Sequence, residues 1–302
     1  MIKYVKRKNL DLVKYNDCIE NSIQSRIYAF AWYLDIVADN WDVLVLNDYE
    51  AVMPVPWKRK YGIKYISPPL WVLELGIFSS EDKINLEPFL SVLFDTFRFI
   101  ELRLNSKNAF NPNKEYVIKK QFQMLDLLEG YDAIFSQYRK DRKKDIKKAI
   151  NLDLVEKWDD KIEKLVTLFK SNVGRRTPNI LENDYVILEN LIAICLEKKV
   201  GEILSIYDKN TALVASGFFL KHKESVTILA SSTDFKNRKN GANTFLIDRA
   251  IFKYQKNFKG FNFGGSSMIS ISKYFLSFGA KTSEYKQIKY NKLPFLLRFF
   301  KK

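Results

Sequence analysis

The order of local patterns between residues 226 and 285 restricts this chain to few folds. Residues 226–230 form a short apolar run rich in β-branched side chains, which reads as a strand. A polar, basic loop with a glycine follows at 236–241. A helical pattern comes next, with Phe245, Leu246, Arg249, Ala250 and Phe252 at spacings of three and four. A short aromatic strand at 261–263 then runs into Gly264-Gly265-Ser266-Ser267. Strand, basic loop, helix, strand and glycine turn together build an anion site. The loop offers backbone N–H groups at a helix N-terminus, where the helix dipole also favours negative charge. Lys236, Arg238 and Lys239 place full positive charges beside it.

Arg238-Lys239-Asn240-Gly241-Ala242 resembles the Arg/Gln-x-x-Gly-x-Gly/Ala pyrophosphate loop of the GNAT acyltransferase superfamily. Phe261-Asn262-Phe263-Gly264-Gly265-Ser266, followed by Tyr274-Phe275-Leu276-Ser277-Phe278-Gly279-Ala280, resembles the C-terminal module of bacterial Fem-type aminoacyltransferases. Chains of that family carry two GNAT-like modules. The motifs cover residues 126–290, and residues 1–125 match by length and pattern. The resemblance implies an α+β fold of two modules, each a mixed, mostly antiparallel sheet flanked by helices. The first module is expected at 1–125 and the second, acyltransferase module at 126–302. The implied activity is N-acyl transfer from a phosphate-bearing donor, acyl-CoA (acetyl-CoA) or aminoacyl-tRNA, to a small-molecule or cell-wall-precursor amine. It implies no metal.

The residues divide by role under this resemblance. Arg238, Lys239, Asn240, Gly241 and Ala242 would hold the donor phosphates, and Gly264, Gly265 and Ser266 would line the cleft. Arg175 and Arg176, in a loop between two helical segments, would border the acceptor pocket, where paired guanidinium groups can grip a carboxylate or phosphate. Backbone N–H groups along 226–231 are the candidates for stabilising a carbonyl oxygen. Two departures stand out. Asn243 occupies the last small position of the loop. A catalytic Tyr of the superfamily would fall on Phe275. Tyr274 is the candidate catalytic residue, but one residue is about 100° of helix rotation, so it cannot take that role by position alone.

Charge is the second constraint. The formal net charge of +15 and a pI near 9.5 favour polyanionic partners. Residues 138–148 hold seven basic and two acidic groups, an excess that local pairing cannot cancel. This run is expected to form one exposed surface for tRNA or an anionic membrane, against the plainer reading of a solvated helix face laced by i,i+4 pairs. One histidine in the chain argues against a His-based zinc site or a Ser-His-Asp triad, and two distant cysteines suggest no disulfide framework. No stretch reaches the ~18 apolar residues of a membrane span, and the N-terminus lacks a signal core. The expected location is cytoplasmic, with peripheral contact at the inner membrane surface as an option. Two other classes stay open: a non-catalytic GNAT-fold module that binds an anionic partner, and a plain nucleic-acid binder.

Along the chain, helices are expected at 9–24, 27–37, 86–97, 131–149, 161–172 and 182–198. Strands are expected at 42–46, 51–56, 64–67, 70–78, 99–104, 121–128, 154–157, 201–207, 212–221 and 225–231. Pro54 and Pro56 are expected to end strands or sit at edges. Four asparagines and a proline at 105–114 mark a loop near the module boundary. Residues 293–302 read as a final helix, with a membrane-surface segment as the alternative.

Overall fold

The computed structural model describes residues 1–82, 84–108, 114–177, 179–264 and 268–295, with only the backbone of Asn237 and Arg238. The chain folds as two compact units, Met1–Lys120 with Glu284–Lys302, and Gln121–Ser283.

The first unit contains β1 (Ile2–Lys6), α1 (Leu12–Asn21), α2 (Ala31–Val37), β2 (Trp41–Leu46), β3 (Ala51–Lys60), β4 (Ile63–Ile66), β5 (Phe78–Ser79), α3 (Glu87–Thr96) and β6 (Phe99–Arg103). Asp11 opens α1 by accepting from the N–H groups of Val13 and Lys14. The hairpin of β2 and β3 closes through Asn47 and Tyr49, both with positive φ, and brings Leu46 opposite Ala51. β3 does not stop at its prolines. Pro54 and Pro56 lie between the stretch of β3 that pairs with β5 (Ala51, Val52) and the stretch that pairs with β4 (Trp57 to Lys60). On that side no ladder needs their missing N–H groups. Residues 70–78 are mostly irregular rather than a strand, with β5 confined to their end. Residues Gln287 to Asn291, from the chain's last strand, pair antiparallel with β6 and bury Ile288.

The second unit begins within β7 (Val117–Asp126) and continues through α4 (Tyr131–Gln137), α5 (Lys140–Asn151), β8 (Val155–Trp158), α6 (Ile162–Asn172), α7 (Glu182–Glu197), β9 (Gly201–Tyr207), β10 (Leu213–His222), β11 (Ser225–Thr233), α8 (Ala242–Tyr254), β12 (Gly260–Asn262) and α9 (Ile269–Leu276). The last strand, β13 (Lys281–Asn291), leads out of it. Its strands run β7-β12-β11-β10-β9-β8, antiparallel except for β11 with β12. Gly217 of β10 faces Leu246 of α8, while its neighbour Phe218 closes with Cys195 of α7 over Gly201. Successive strand residues point to opposite faces, so α7 and α8 cover opposite sides of the sheet. The core against α8 gathers Leu204, Ile206, Phe219, Leu246, Ile247, Ile251 and Phe261.

The expected single helix at 131–149 is two. Tyr138 and Arg139 are extended between α4 and α5. The Arg139 N–H donates to the Ser277 carbonyl at 2.9 Å, and the Tyr138 ring packs edge-on against Phe278. These tertiary contacts outweigh two more intrahelical hydrogen bonds.

Candidate functional site

β11 and β12 pair in parallel only through Ser225 to Thr227 and Gly260 to Asn262. Beyond Thr227, β11 runs on to Thr233 without β12, so the two strands part short of Gly264. Within this stretch β11 is bulged. Ile228 faces Phe219 and Ala230 faces Phe218, which leaves Leu229 with no opposite residue on β10. A bulge of this kind frees one backbone unit from the ladder.

The basic loop leaves the end of β11. The Asp234 carboxylate accepts from the Lys236 N–H at 3.1 Å and starts a 3-10 helix, Phe235–Asn240. Gly241 then turns the chain with φ +82 into α8. No other residue type fits, for two reasons. An L side chain at this φ is strained, and a Cβ would overlap the Asp145 carbonyl oxygen of α5. The Ala242 N–H is used by the Asn240 side chain at 2.9 Å.

α5 and α9 meet the start of α8 through a polar cluster. The Arg142 guanidinium donates to the Thr244 hydroxyl at 2.7 Å, pairs with Asp145 and Asp141 at 3.0 Å each, and lies 4.7 Å from the Tyr274 ring centroid. Thr244 donates to Asp145 Oδ2 at 3.0 Å. Asn243 Nδ2 donates to the Tyr274 hydroxyl at 3.0 Å. Burial pushes the Tyr274 phenol above its ordinary pKa, with Thr244, Arg142 and Asn243 pulling the other way. The phenol therefore stays protonated at neutral pH. Next to it, the Phe275 ring stacks on Phe263. The two neighbours face different surroundings, as one residue of helix rotation requires.

A cleft of about 950 Å³ opens at the far end of β11. Its walls come from α6 (Lys164, Thr167, Leu168, Ser171), the turn at Arg175 and Arg176, Tyr207 of β9, and the loop residues Asp234, Phe235 and Lys236. The Arg176 guanidinium stacks 3.6 Å from the Phe235 ring centroid. Arg175 and Lys236 are exposed and make no ion pair with a described residue. Lys164 donates to the Tyr207 hydroxyl, which itself donates to the buried Asp160 carboxylate.

The structure thus gathers Arg175 and Arg176 with Lys236 in one cleft, and Tyr274 with Asn243 and Thr244 at the start of α8. Lys239 is exposed, whereas Ala242 is fully buried. The Arg238 side chain, Gly265 and Ser266 lie outside the described residues, while Gly264 has φ +80. Sequence reasoning missed Arg142, Asp145 and Thr244. A signal was available: Arg142, Ile146 and Ala149 repeat at helical spacing, and the last two are buried. Arg142 belongs to that inward stripe. Its side chain is only 12% exposed, so the expectation of seven basic groups on one open surface fails for this residue. Among the described residues no cluster of acidic, histidine or cysteine side chains could hold a metal ion, and no helix is long and apolar enough to cross a membrane. Both cysteines are free, and burial pushes the thiols up to about 11 at Cys18 and about 12 at Cys195.

The sequence matches no protein-family model and no curated protein. The fold matches solved structures along most of the chain. A crystal structure of FemX aligns with a TM-score of 0.65 at 9% identity, over 92% of this chain and 96% of that one. The C-terminal domain of a lysylphosphatidylglycerol synthetase from Agrobacterium fabrum aligns at 0.56 and 10%, over 92% and 91%. A tandem GNAT protein from the clavulanic acid biosynthesis pathway aligns at 0.53 and 8%, over 97% and 100%. At such identities the likeness is one of fold. The chain has a GNAT-like, Fem-type fold with two GNAT-like modules, as its motifs led us to expect.

Proposed function

We propose that this protein is an N-acyltransferase that uses the second unit to move an acyl or aminoacyl group from an activated carrier to an amine. The observation that carries this reading is the parting of β11 from β12 beside the Leu229 bulge. Transfer of an acyl group needs a slot for an extended acyl arm, a donor for the carbonyl oxygen, and an orienting grip on the partner. The flank of β11 that β12 leaves after Thr227 is the candidate slot, and the Leu229 backbone unit is the candidate oxygen donor. Arg175, Arg176 and Lys236 supply a cationic grip for a carboxylate or phosphate in the 950 Å³ cleft. Tyr274 is the candidate proton donor to the leaving group, because its phenol stays protonated. Neither cysteine is suited to covalent catalysis, since burial keeps both thiols protonated.

The test is a side-by-side discharge assay with radiolabelled acetyl-CoA and aminoacyl-tRNA against a panel of amines. Loss of label from one donor in the presence of an amine is expected, with Arg175→Glu/Arg176→Glu raising the acceptor KM by about tenfold or more. No turnover with either donor, together with no binding of either, would sink the transfer reading. A non-catalytic binding module is then the better account. One observation favours it: the start of α8 is filled by side chains of α5 and α9.

A further inference from the structure

The N-terminus of α8 is the place where a helix of this fold would receive a phosphate group, and here the Ala242 N–H and the side chains at its first positions are already engaged. A Cβ at Gly241 would overlap the Asp145 main-chain carbonyl, so α5 packs directly on this turn. The Ala242 N–H is bonded to the Asn240 side chain, and Ala242 itself is buried. Asn243 is tied to the Tyr274 hydroxyl. The Thr244 hydroxyl is held between Arg142 and the Asp145 carboxylate. We propose that the Arg142–Asp145 pair is an internal substitute for a bound anion at the start of α8, and that Asp145 is a specificity-determining residue that shuts a donor's diphosphate out of this site.

Charge and side-chain bonding both point this way. A carboxylate at a helix N-terminus is stabilised by the same dipole that would hold a phosphate, so Asp145 takes that interaction for the folded chain. A diphosphate arriving there would meet the half-buried Asp145 carboxylate at close range, where like charges repel. Arg142, the cation bonded to Thr244, offers no surplus charge. It pairs with both Asp145 and Asp141, and its face lies over Tyr274. Asn243 stands where the related loops carry glycine or alanine, and its amide is bonded to the Tyr274 hydroxyl. The described side chains of α5, α8 and α9 therefore do not fit the diphosphate of CoA at this helix. The exposed cations Lys236 and Arg175 line the α6 cleft, which makes it the candidate receptor for an anionic group. The proposal deepens the transfer reading by narrowing the choice of donor, and its test measures binding without turnover.

The probe is inorganic pyrophosphate, titrated into the wild-type chain and Asp145→Asn at equal ionic strength. Asp145→Asn keeps the shape and the Thr244 hydrogen bond but removes the charge. Binding to Asp145→Asn at least about tenfold tighter than to wild type is expected. Equal or weaker binding would overturn the proposal. A melting curve shows whether the variant is folded. Should it not fold, hydrogen exchange on the wild-type chain decides. Amides of Asn243, Thr244 and Phe245 that are unaffected by saturating pyrophosphate support the closed site, and slowed exchange at those amides overturns it.

Discussion

Single residues here are explained by what surrounds them more than by their type. Glu202 shows this. It lies on β9, where it accepts from Lys221 at 2.7 Å, Lys253 at 2.9 Å and the Tyr254 hydroxyl at 2.8 Å. Burial works against its ionisation, but the hydrogen bonds from Lys221, Lys253 and Tyr254 outweigh it and hold the carboxyl below its ordinary value of 4.5. The folded chain thus binds a proton here less readily than the unfolded chain. The stabilisation is fully present above the unfolded value, and it fades as pH falls through the lower folded value. Glu202→Gln is expected to cost about 2 kcal/mol at neutral pH. That is less than the cost of breaking a fully buried pair, because Lys253 is 40% exposed. Denaturant melts at pH 7 and pH 3 check this: the difference between variant and wild type should shrink at the lower pH. Arg142 makes the same point from the other side. Its sequence neighbours suggest a solvated lysine-rich face, and its partners make it part of the interior.

Helices and strands follow their local patterns until a tertiary contact competes. The helix pattern at 131–149 breaks at Tyr138 and Arg139 because a buried ring and the Ser277 carbonyl claim those residues. α5 therefore starts afresh at Lys140, which turns one charged helix into a short packed helix and a basic one. On α5 the outward positions Lys140, Lys144, Lys147 and Lys148 are exposed, and Arg139 is exposed but bound to Asp141 through two 2.6 Å contacts. The usable surface is thus four lysines rather than seven basic groups. If α5 engages tRNA, replacing Lys144, Lys147 and Lys148 by Gln should lower the slope of log affinity against log salt by about 2–3, because each phosphate contact contributes about 0.7–0.9. The melting temperature should not move. An unchanged slope with tRNA, and unchanged binding to anionic vesicles, would return α5 to a solvated face. β13 was not anticipated because its sequence, KTSEYKQIKYN, is dominated by charged and polar residues. Only Gln287 and Ile288 are buried along it, which is too little alternation to signal a strand.

Across the whole molecule, the chain enters its second unit inside β7 and returns to the first after Ser283. The tail is therefore part of the first unit's fold. A chain ending at Ser283 would leave β6 without its partner over Phe99 to Arg103 and remove the buried Ile288. We expect that truncation to aggregate on refolding, since an uncovered apolar edge strand pairs with other chains. A truncated chain that stays monodisperse in gel filtration would contradict it. Read alone, the sequence determined most helices and strands, the strand–loop–helix–strand order at 226–263, the glycine at the loop, and the fold class. Periodicity and turn chemistry are local, so they survive in a single sequence. Only the tertiary structure decided which groups oppose one another. It brought Asp145 of α5 against Gly241, turned Arg142 inward over Tyr274, and parted β11 from β12. It also collected Arg175, Arg176 and Lys236 around one cleft. Those pairings join residues far apart in the chain, and the physics that sets them is close packing and charge compensation across elements, which no local window of sequence contains.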